Sequence, residues 1–128
     1  MALEFSTEQI GNLSESVEPI SPDRSCGDVY EAFAHDSELS CLPVVSKGCP
    51  VGMVDRNDFC MRLADRFGRA LFEKKPISQV MDSRPLVVEG CLSIDQLASV
   101  ILSNRPNALK TGFVIVHNGR YHGIGTAQ

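Results

Sequence analysis

No apolar run in this chain approaches the length of a membrane span, and residues 1–12 carry neither a basic start nor an apolar stretch. Neither membrane insertion nor a signal peptide is therefore expected, and the chain reads as cytoplasmic. Excess positive charge is lacking too. The formal net charge is -4 over 128 residues, which gives no general affinity for nucleic acid or an anionic surface. The five cysteines include no Cys-x-x-Cys pair, so metal-ligand spacing is missing. No Ser-His-Asp or Cys-His grouping can be located by motif, no Gly-rich phosphate loop follows a strand, and the acids form no paired catalytic pattern. An enzyme is therefore not expected, and no catalytic residue, metal ligand or required cofactor is assigned. Cys26, Cys41, Cys49, Cys60 and Cys91 read as reduced thiols, small and mostly buried. Cys49, beside a turn, is the one placed to be exposed, as a redox sensor would need.

At 43% apolar residues the chain can bury one modest core. The stretch from Leu42 to Asp58 organises it. Two β-branched runs, Pro43-Val44-Val45 and Val51 to Val54, flank Lys47-Gly48, where glycine supplies the positive φ of a tight hairpin. That turn pairs Ser46 with Cys49, Val44 with Val51, Pro43 with Gly52 and Cys41 with Val54. The polar run Asp55-Arg56-Asn57-Asp58 then offers caps for a helix presenting Phe59, Leu63 and Phe67. The unit recurs: Gly112 to Val116, the turn Asn118-Gly119, and Tyr121 to Thr126 form a second hairpin. Upstream of each hairpin lies a strand and a helix, Pro19 to Asp23 with Asp28 to Phe33, and Pro85 to Glu89 with Ile94 to Ala98. One globular module of two half-units follows, neither stable alone.

In chain order, Ser6 to Leu13 reads as a short amphipathic helix packing on a neighbour, with Ile10 and Leu13 inward. Ser25 or Gly27 opens a helix through Val29, Tyr30 and Phe33. Asn57 to Arg66 forms another, interrupted at Phe67-Gly68-Arg69 before Ala70 to Phe72. Pro76 begins a short helix, Ile77 to Met81. Ser93 caps a helix to Ser103 that presents Ile94, Leu97, Val100 and Ile101 inward. Residues 1–16 thus make a helix and lead-in, 17–73 the first repeat, and 74–128 a linker helix and second repeat. The second repeat has no residues for an exit helix; either Ser6 to Leu13 replaces it or, the favoured reading, the chain is cut from a longer protein. Residues 1–38 hold nine acids against Arg24 alone, whereas residues 62–84 hold six bases against three acids. This suits two differently solvated faces, or docking between subunits or onto a neighbouring domain.

The repeated unit, with Leu42-Pro43-Val44-Val45 and Val51-Gly52-Met53-Val54-Asp55-Arg56-Asn57-Asp58, resembles a tandem pair of CBS (cystathionine β-synthase) domains, a Bateman module, over residues 17–128. The resemblance implies a mixed α/β (α+β) fold of two strand-helix-strand-strand-helix repeats related by pseudo-twofold symmetry, the second lacking its exit helix. The runs Pro50 to Arg56, Phe67 to Pro76 and Val80-Met81-Asp82 look like the CBS pairs that precede GGDEF and EAL domains in bacterial cyclic-di-GMP signalling. It further implies a homodimer regulating an attached output domain, with AMP, ADP, ATP or S-adenosylmethionine as a regulatory ligand between the copies.

The family's binding pattern is a glycine, two variable residues, Thr or Ser, two more, then Asp. Backbone groups read the base, a hydroxyl at a helix N-terminus holds phosphate, and the Asp accepts from the ribose. The first copy gives Gly52, then Asp55 at the hydroxyl position and Asp58 at the ribose position. A carboxylate there repels phosphate by roughly 4 kcal/mol for unit charges about 4 Å apart at an effective dielectric near 20. That outweighs the ~0.3 to 1 kcal/mol from a helix N-terminus. The second copy gives Gly123 and Thr126, but its Asp would fall beyond Gln128. The resemblance places the ligand against Ile20, Pro43, Val44, Asp55 and Asp58 on one side and Val114 and Thr126 on the other. Asp58 as an ordinary first-turn acid and Thr126 as a strand-end hydroxyl stay open, as does a ligand-free dimerisation module with degenerate sites. His117 and His122, near Arg120, form either a basic cluster for an anionic ligand or solvated strand ends.

Overall fold

Two tight turns, Lys47-Gly48 and Asn118-Gly119, fold the strands back on themselves. In the computed structural model, which describes residues 14–104 and 112–125, these four residues have φ of 54°, 81°, 54° and 80°. Positive φ at both central positions is the type I′ combination, whose twist matches paired strands. Strand β1 (Cys41–Ser46) accordingly pairs antiparallel with β2 (Cys49–Asp55). The second hairpin pairs β4 (Phe113–His117) with β5 (Arg120–Gly125). Ser46 faces Cys49 as the turn requires, but the register beyond it differs from expectation. Val45 faces Pro50 and Val44 faces Gly52, so Val51 is an extra residue, Pro43 meets Met53 and Cys41 meets Asp55. The second hairpin bulges at the equivalent His122, between Tyr121 and Gly123. The bulge is thus a property of the repeated hairpin and adds local twist.

Each hairpin gains a neighbour on both edges. β3 (Val87–Glu89) runs parallel to β4, with Val88 beside Ile115. In the first copy the predicted strand over residues 19–23 shrinks to one parallel bridge, Ile20 to Val44. There Ile20 N–H donates to Pro43 O at 3.0 Å and Val45 N–H to Ile20 O at 2.9 Å. Pro19 and Pro22 have no N–H to extend the ladder.

The helices start at their predicted caps. Helix α1 (Cys26–His35) begins at Ser25, whose hydroxyl accepts from Asp28 N–H at 3.1 Å. Helix α2 (Arg56–Ala64) stops earlier than predicted, since Asp65 leaves helical geometry with ψ 157°. Gly68 N–H then donates to Asp65 O at 2.9 Å, and α3 (Gly68–Phe72) follows. This tight turn swings Phe67 outward, 61% exposed rather than buried. A 3-10 turn at Ile77–Gln79 replaces the predicted helix to Met81, with Ile77 fully buried. For α4 (Ile94–Asn104), Ser93 Oγ accepts from Gln96 N–H and Gln96 Oε1 from Ser93 N–H, a reciprocal capping box. Leu97 and Ile101 are buried, but Ile94 is 38% exposed and Val100 half-buried. In the first copy Cys26 N–H donates to Lys75 O and Gly27 N–H to Glu73 O; no described residue covers the start of α4 in this way.

The two copies complete each other. Asp82, leading into the second copy, adds to the free edge of β2, with Met53 N–H to Asp82 O at 3.0 Å and the reciprocal bond at 2.9 Å. Glu15, leading into the first copy, adds to the free edge of β5 through paired bonds with Ile124 of 2.8 and 2.9 Å. Glycine permits both approaches. A Cβ at Gly52 would lie 2.3 Å from Met81 Sδ, and one at Gly123 would lie 2.8 Å from Glu15 O. Between the hairpins Cys41, Met53, Val114, Val116 and Ile124 form a shared apolar cluster, flanked by the cores of the copies. Tyr121 breaks the symmetry: its O–H donates to Val17 O at 2.5 Å and its N–H to Gly48 O at 2.9 Å. The equivalent residue in the first hairpin, Pro50, has no N–H with which to reciprocate. The Ser6 to Leu13 helix lies outside the described residues. Gly52→Ala and Gly123→Ala should each lower stability by about 1–3 kcal/mol through overpacking, seen as a reduced urea midpoint with an unchanged m-value.

Candidate functional site

The chain passes from β2 into α2 at Asp55, which serves both elements. Its backbone ends the strand, and its Oδ2 accepts from Asp58 N–H at 3.0 Å to cap the helix. Helical spacing then places Asp55, Asp58, Phe59 and Arg62 along one face. These four, with Met53 and Val54 of β2 and Val80 and Asp82 of the linker, line a pocket of about 380 Å³. Its charged wall is three carboxylates and one guanidinium, with apolar surface between them. Asp82 Oδ1 also accepts from Arg84 N–H at 2.9 Å.

Arg56, between the two first-copy acids, points away from the pocket. Its guanidinium donates to the carbonyls of Phe33, Asp36 and Leu39 at 2.8, 2.8 and 2.9 Å and lies 5.5 Å from the centre of the Phe33 ring. It therefore ties the end of α1 to the start of α2. Nothing in the local sequence pattern marks this role.

Of the residues expected to contact a ligand, Asp55 and Asp58 lie together on the pocket wall. Ile20 is half-buried and bonded to Pro43. Pro43, Val44 and Val114 are fully buried, Val44 in the first-copy core and Val114 in the cluster between copies. None of these four lines the pocket, because both faces of β1 and β4 are covered. Thr126 lies outside the described residues. Val80, Asp82 and Arg62 complete the wall without having been singled out as contacts. Aligning the run Val80-Met81-Asp82 with the lead-in to the first copy is what could have found two of them. His117 and His122 are exposed, with ring centres 6.4 Å apart. Among the described residues no group of three His, Cys, Asp or Glu could hold a metal ion, and no helix is long and apolar enough to cross a membrane.

The five thiols are free. Cys26 and Cys41 are buried, Cys60 is intermediate, and Cys91 joins Cys49 at the surface. Fewer are buried than expected, since Cys91 stands at the exposed start of the turn before α4. Burial pushes the Cys41 thiol up to about 11, reinforced by the charges of Asp55 and Glu15 and opposed by a hydrogen bond with the Ser40 side chain. Burial raises Cys26 and Tyr121 too. These folded-state values lie above the unfolded ones, so the native protein holds more protons in alkali. Their contribution is complete below about pH 9 and is lost as pH rises toward about 11. Denaturant midpoints should fall across that window, and less steeply in Cys41→Val. At pH 8, native-state alkylation followed by mass spectrometry should label Cys49 and Cys91 first and leave Cys41 untouched until unfolding.

Residues 9–65 match the sequence profile of the CBS domain. Among the curated proteins none matches. Similar solved structures include a CBS domain-containing protein of unknown function from Bacillus anthracis, at 16% identity and TM-score 0.79, covering 99% of this chain and 92% of that one. CBSX2 of Arabidopsis thaliana in complex with AMP is 21% identical, with TM-score 0.70 and coverage of 92% and 89%. The CBS domain pair of MJ0100, in complex with 5′-methylthioadenosine and S-adenosylmethionine, is 21% identical, with TM-score 0.68 and coverage of 93% and 89%. The chain spans only 45% of MJ1225 from Methanocaldococcus jannaschii, which it matches over 94% of its own length. The described residues thus have the α+β fold of a CBS pair, and the first of its two repeats carries the match to the CBS domain.

Proposed function

We propose that this chain is a regulatory module that senses an adenosyl nucleotide between its two repeats and controls an attached signalling domain. The observation carrying this reading is the pocket of about 380 Å³ where β2 passes into α2, at the position of the family's glycine-to-aspartate pattern. Its size suits a small ligand, and two CBS pairs of the same fold were crystallised with AMP or with S-adenosylmethionine. The walls come from both sides of the exchange: α2 and β2 from the first copy, Val80 and Asp82 from the linker to the second. A ligand preferring one relative orientation of these parts would shift the population of an attached domain by no more than its differential affinity. A GGDEF or EAL type of output domain and a homodimeric assembly complete the proposal, supported by the sequence resemblance.

A second reading, a ligand-free dimerisation module, draws on Asp55. Its carboxylate stands where a phosphate-binding hydroxyl is expected and already caps α2.

Thermal melting with AMP, ATP, S-adenosylmethionine or NADH in excess separates the two. A ligand at 100 times its dissociation constant adds about 2.7 kcal/mol, enough to raise the midpoint by several degrees. A shift that disappears in Asp58→Ala supports sensing. An unmoved midpoint with every ligand, together with a dimer by light scattering, would favour the structural reading.

A further inference from the structure

Ser14 and Glu15 stand on the second copy as Met81 and Asp82 stand on the first. Glu15 bonds to Ile124 where Asp82 bonds to Met53, and a Cβ at Gly123 would meet Ser14 where one at Gly52 would meet Met81. Counting back from these equivalents aligns Phe72, Ile77 and Val80 with Phe5, Ile10 and Leu13, and Gln79 with Asn12. An aromatic, an isoleucine and a second aliphatic thus recur at the same spacing. We infer that residues 5–13 are the cover of the second copy: they dock on the start of α4 and the core beneath it, along the course that residues 72–80 take over the start of α1. This docking is independent of any ligand.

The first copy shows what such a cover does. Ser25 and Pro76 form an antiparallel bridge, Cys26 N–H donates to Lys75 O at 2.8 Å, and Gly27 N–H donates to Glu73 O at 2.9 Å. Two N–H groups that open α1, and that no helix can satisfy from within, are thereby paired. Ile77 is fully buried behind them, and Phe72 and Val80 pack against the same core. Ile77 N–H also donates to Arg24 O at 2.6 Å and Ser78 N–H to Pro22 O at 3.1 Å, which fixes the segment on either side of Asp23.

The second copy has the same need. Ser93 caps α4 as Ser25 caps α1, so Ile94 and Asp95 take the places of Cys26 and Gly27. No described residue accepts from the backbone N–H of either. Ile94 is 38% exposed where Cys26 is fully buried, and Val87, at the edge of the same core, is 41% exposed. Among the described residues, Leu86 and Leu92 pack against that core, and neither reaches Ile94 in the way that Pro76 reaches Cys26. Phe5, Ile10 and Leu13 supply apolar side chains at the spacing that serves the first copy, and the carbonyls of Ser6 and Glu8 fall at the positions of Glu73 and Lys75. Since Glu15 is already seated on β5, the segment before it meets α4 at a high effective concentration.

Two measurements on the full chain test the docking. By the same alignment Gly11 takes the place of Ser78, and Cys91 that of Asp23. Under mild oxidation of dilute protein, a thiol introduced by Gly11→Cys should therefore crosslink within the chain to Cys91 about tenfold more than to the other exposed thiol, Cys49, as read by peptide mass spectrometry. Phe5→Ser combined with Ile10→Ser should raise the hydrogen-exchange rate of residues 90–98 about tenfold relative to residues 22–30, and Phe5→Leu with Ile10→Val should restore most of the protection. Equal crosslinking to the two thiols, crosslinks between chains, or an unchanged exchange ratio overturns the inference. Should the doubly substituted protein fail to fold, the crosslink decides alone.

Discussion

Two pairs of backbone hydrogen bonds, Met53 with Asp82 and Glu15 with Ile124, are what the rest of the structure depends on. Each pair contributes only about 1–3 kcal/mol in its own right. Their importance is positional. Each fixes a segment belonging to one copy against the hairpin of the other, so neither hairpin has a complete edge without its neighbour. Seating Asp82 on β2 brings Val80 and Asp82 to the pocket wall. Seating Glu15 on β5 draws Val17 under the Tyr121 hydroxyl. The cluster of Cys41, Met53, Val114, Val116 and Ile124 is then closed from both sides, and a movement of either lead-in segment is felt in the packing between the copies.

The start of α2 is the second point of convergence. Three successive functions fall on Asp55, Arg56 and Asp58. The first caps the helix, the second holds the end of α1 by three carbonyls, and the third faces the cavity. Arg56 makes the α1–β1 connection and the pocket helix one mechanical unit. A ligand pulling on α2 would act on α1 as well, with no chain of intermediate side chains required.

Local chemistry made much of this legible. Lys47-Gly48 and Asn118-Gly119 announce hairpins because the turns need positive φ, and Ser25 and Ser93 announce helices because their hydroxyls satisfy free N–H groups. Asp55 and Asp58 were singled out through the family pattern, and both line the pocket. The exchanged segments were not, since a two-residue bridge such as Glu15 to Ile124 has no periodicity to detect. The bulges at Val51 and His122 were missed for a related reason: alternation alone does not reveal one extra residue. Pro43, Val44 and Val114 were set against a ligand by the family resemblance; in the structure they are buried and do not line the pocket, a burial that β-branched strands do not announce since they look alike whether one face or both are covered. Arg62 looked like one more base on a polar helix, and only the cavity beside it distinguishes it from Arg66.

The Tyr121 bond to Val17 joins residues 104 positions apart. On a ribosome, the segment around Glu15 and Val17 emerges long before its acceptor strand exists, and the first hairpin waits for the linker before its edge is covered. The early chain must therefore keep an uncovered strand edge until Asp82 has been synthesised, and an unplaced lead-in until β5 has. Contacts of such long sequence separation slow folding and prolong exposure to aggregation. For this protein, the order in which its parts are made places β5 in charge of securing the segment that leads into the first copy.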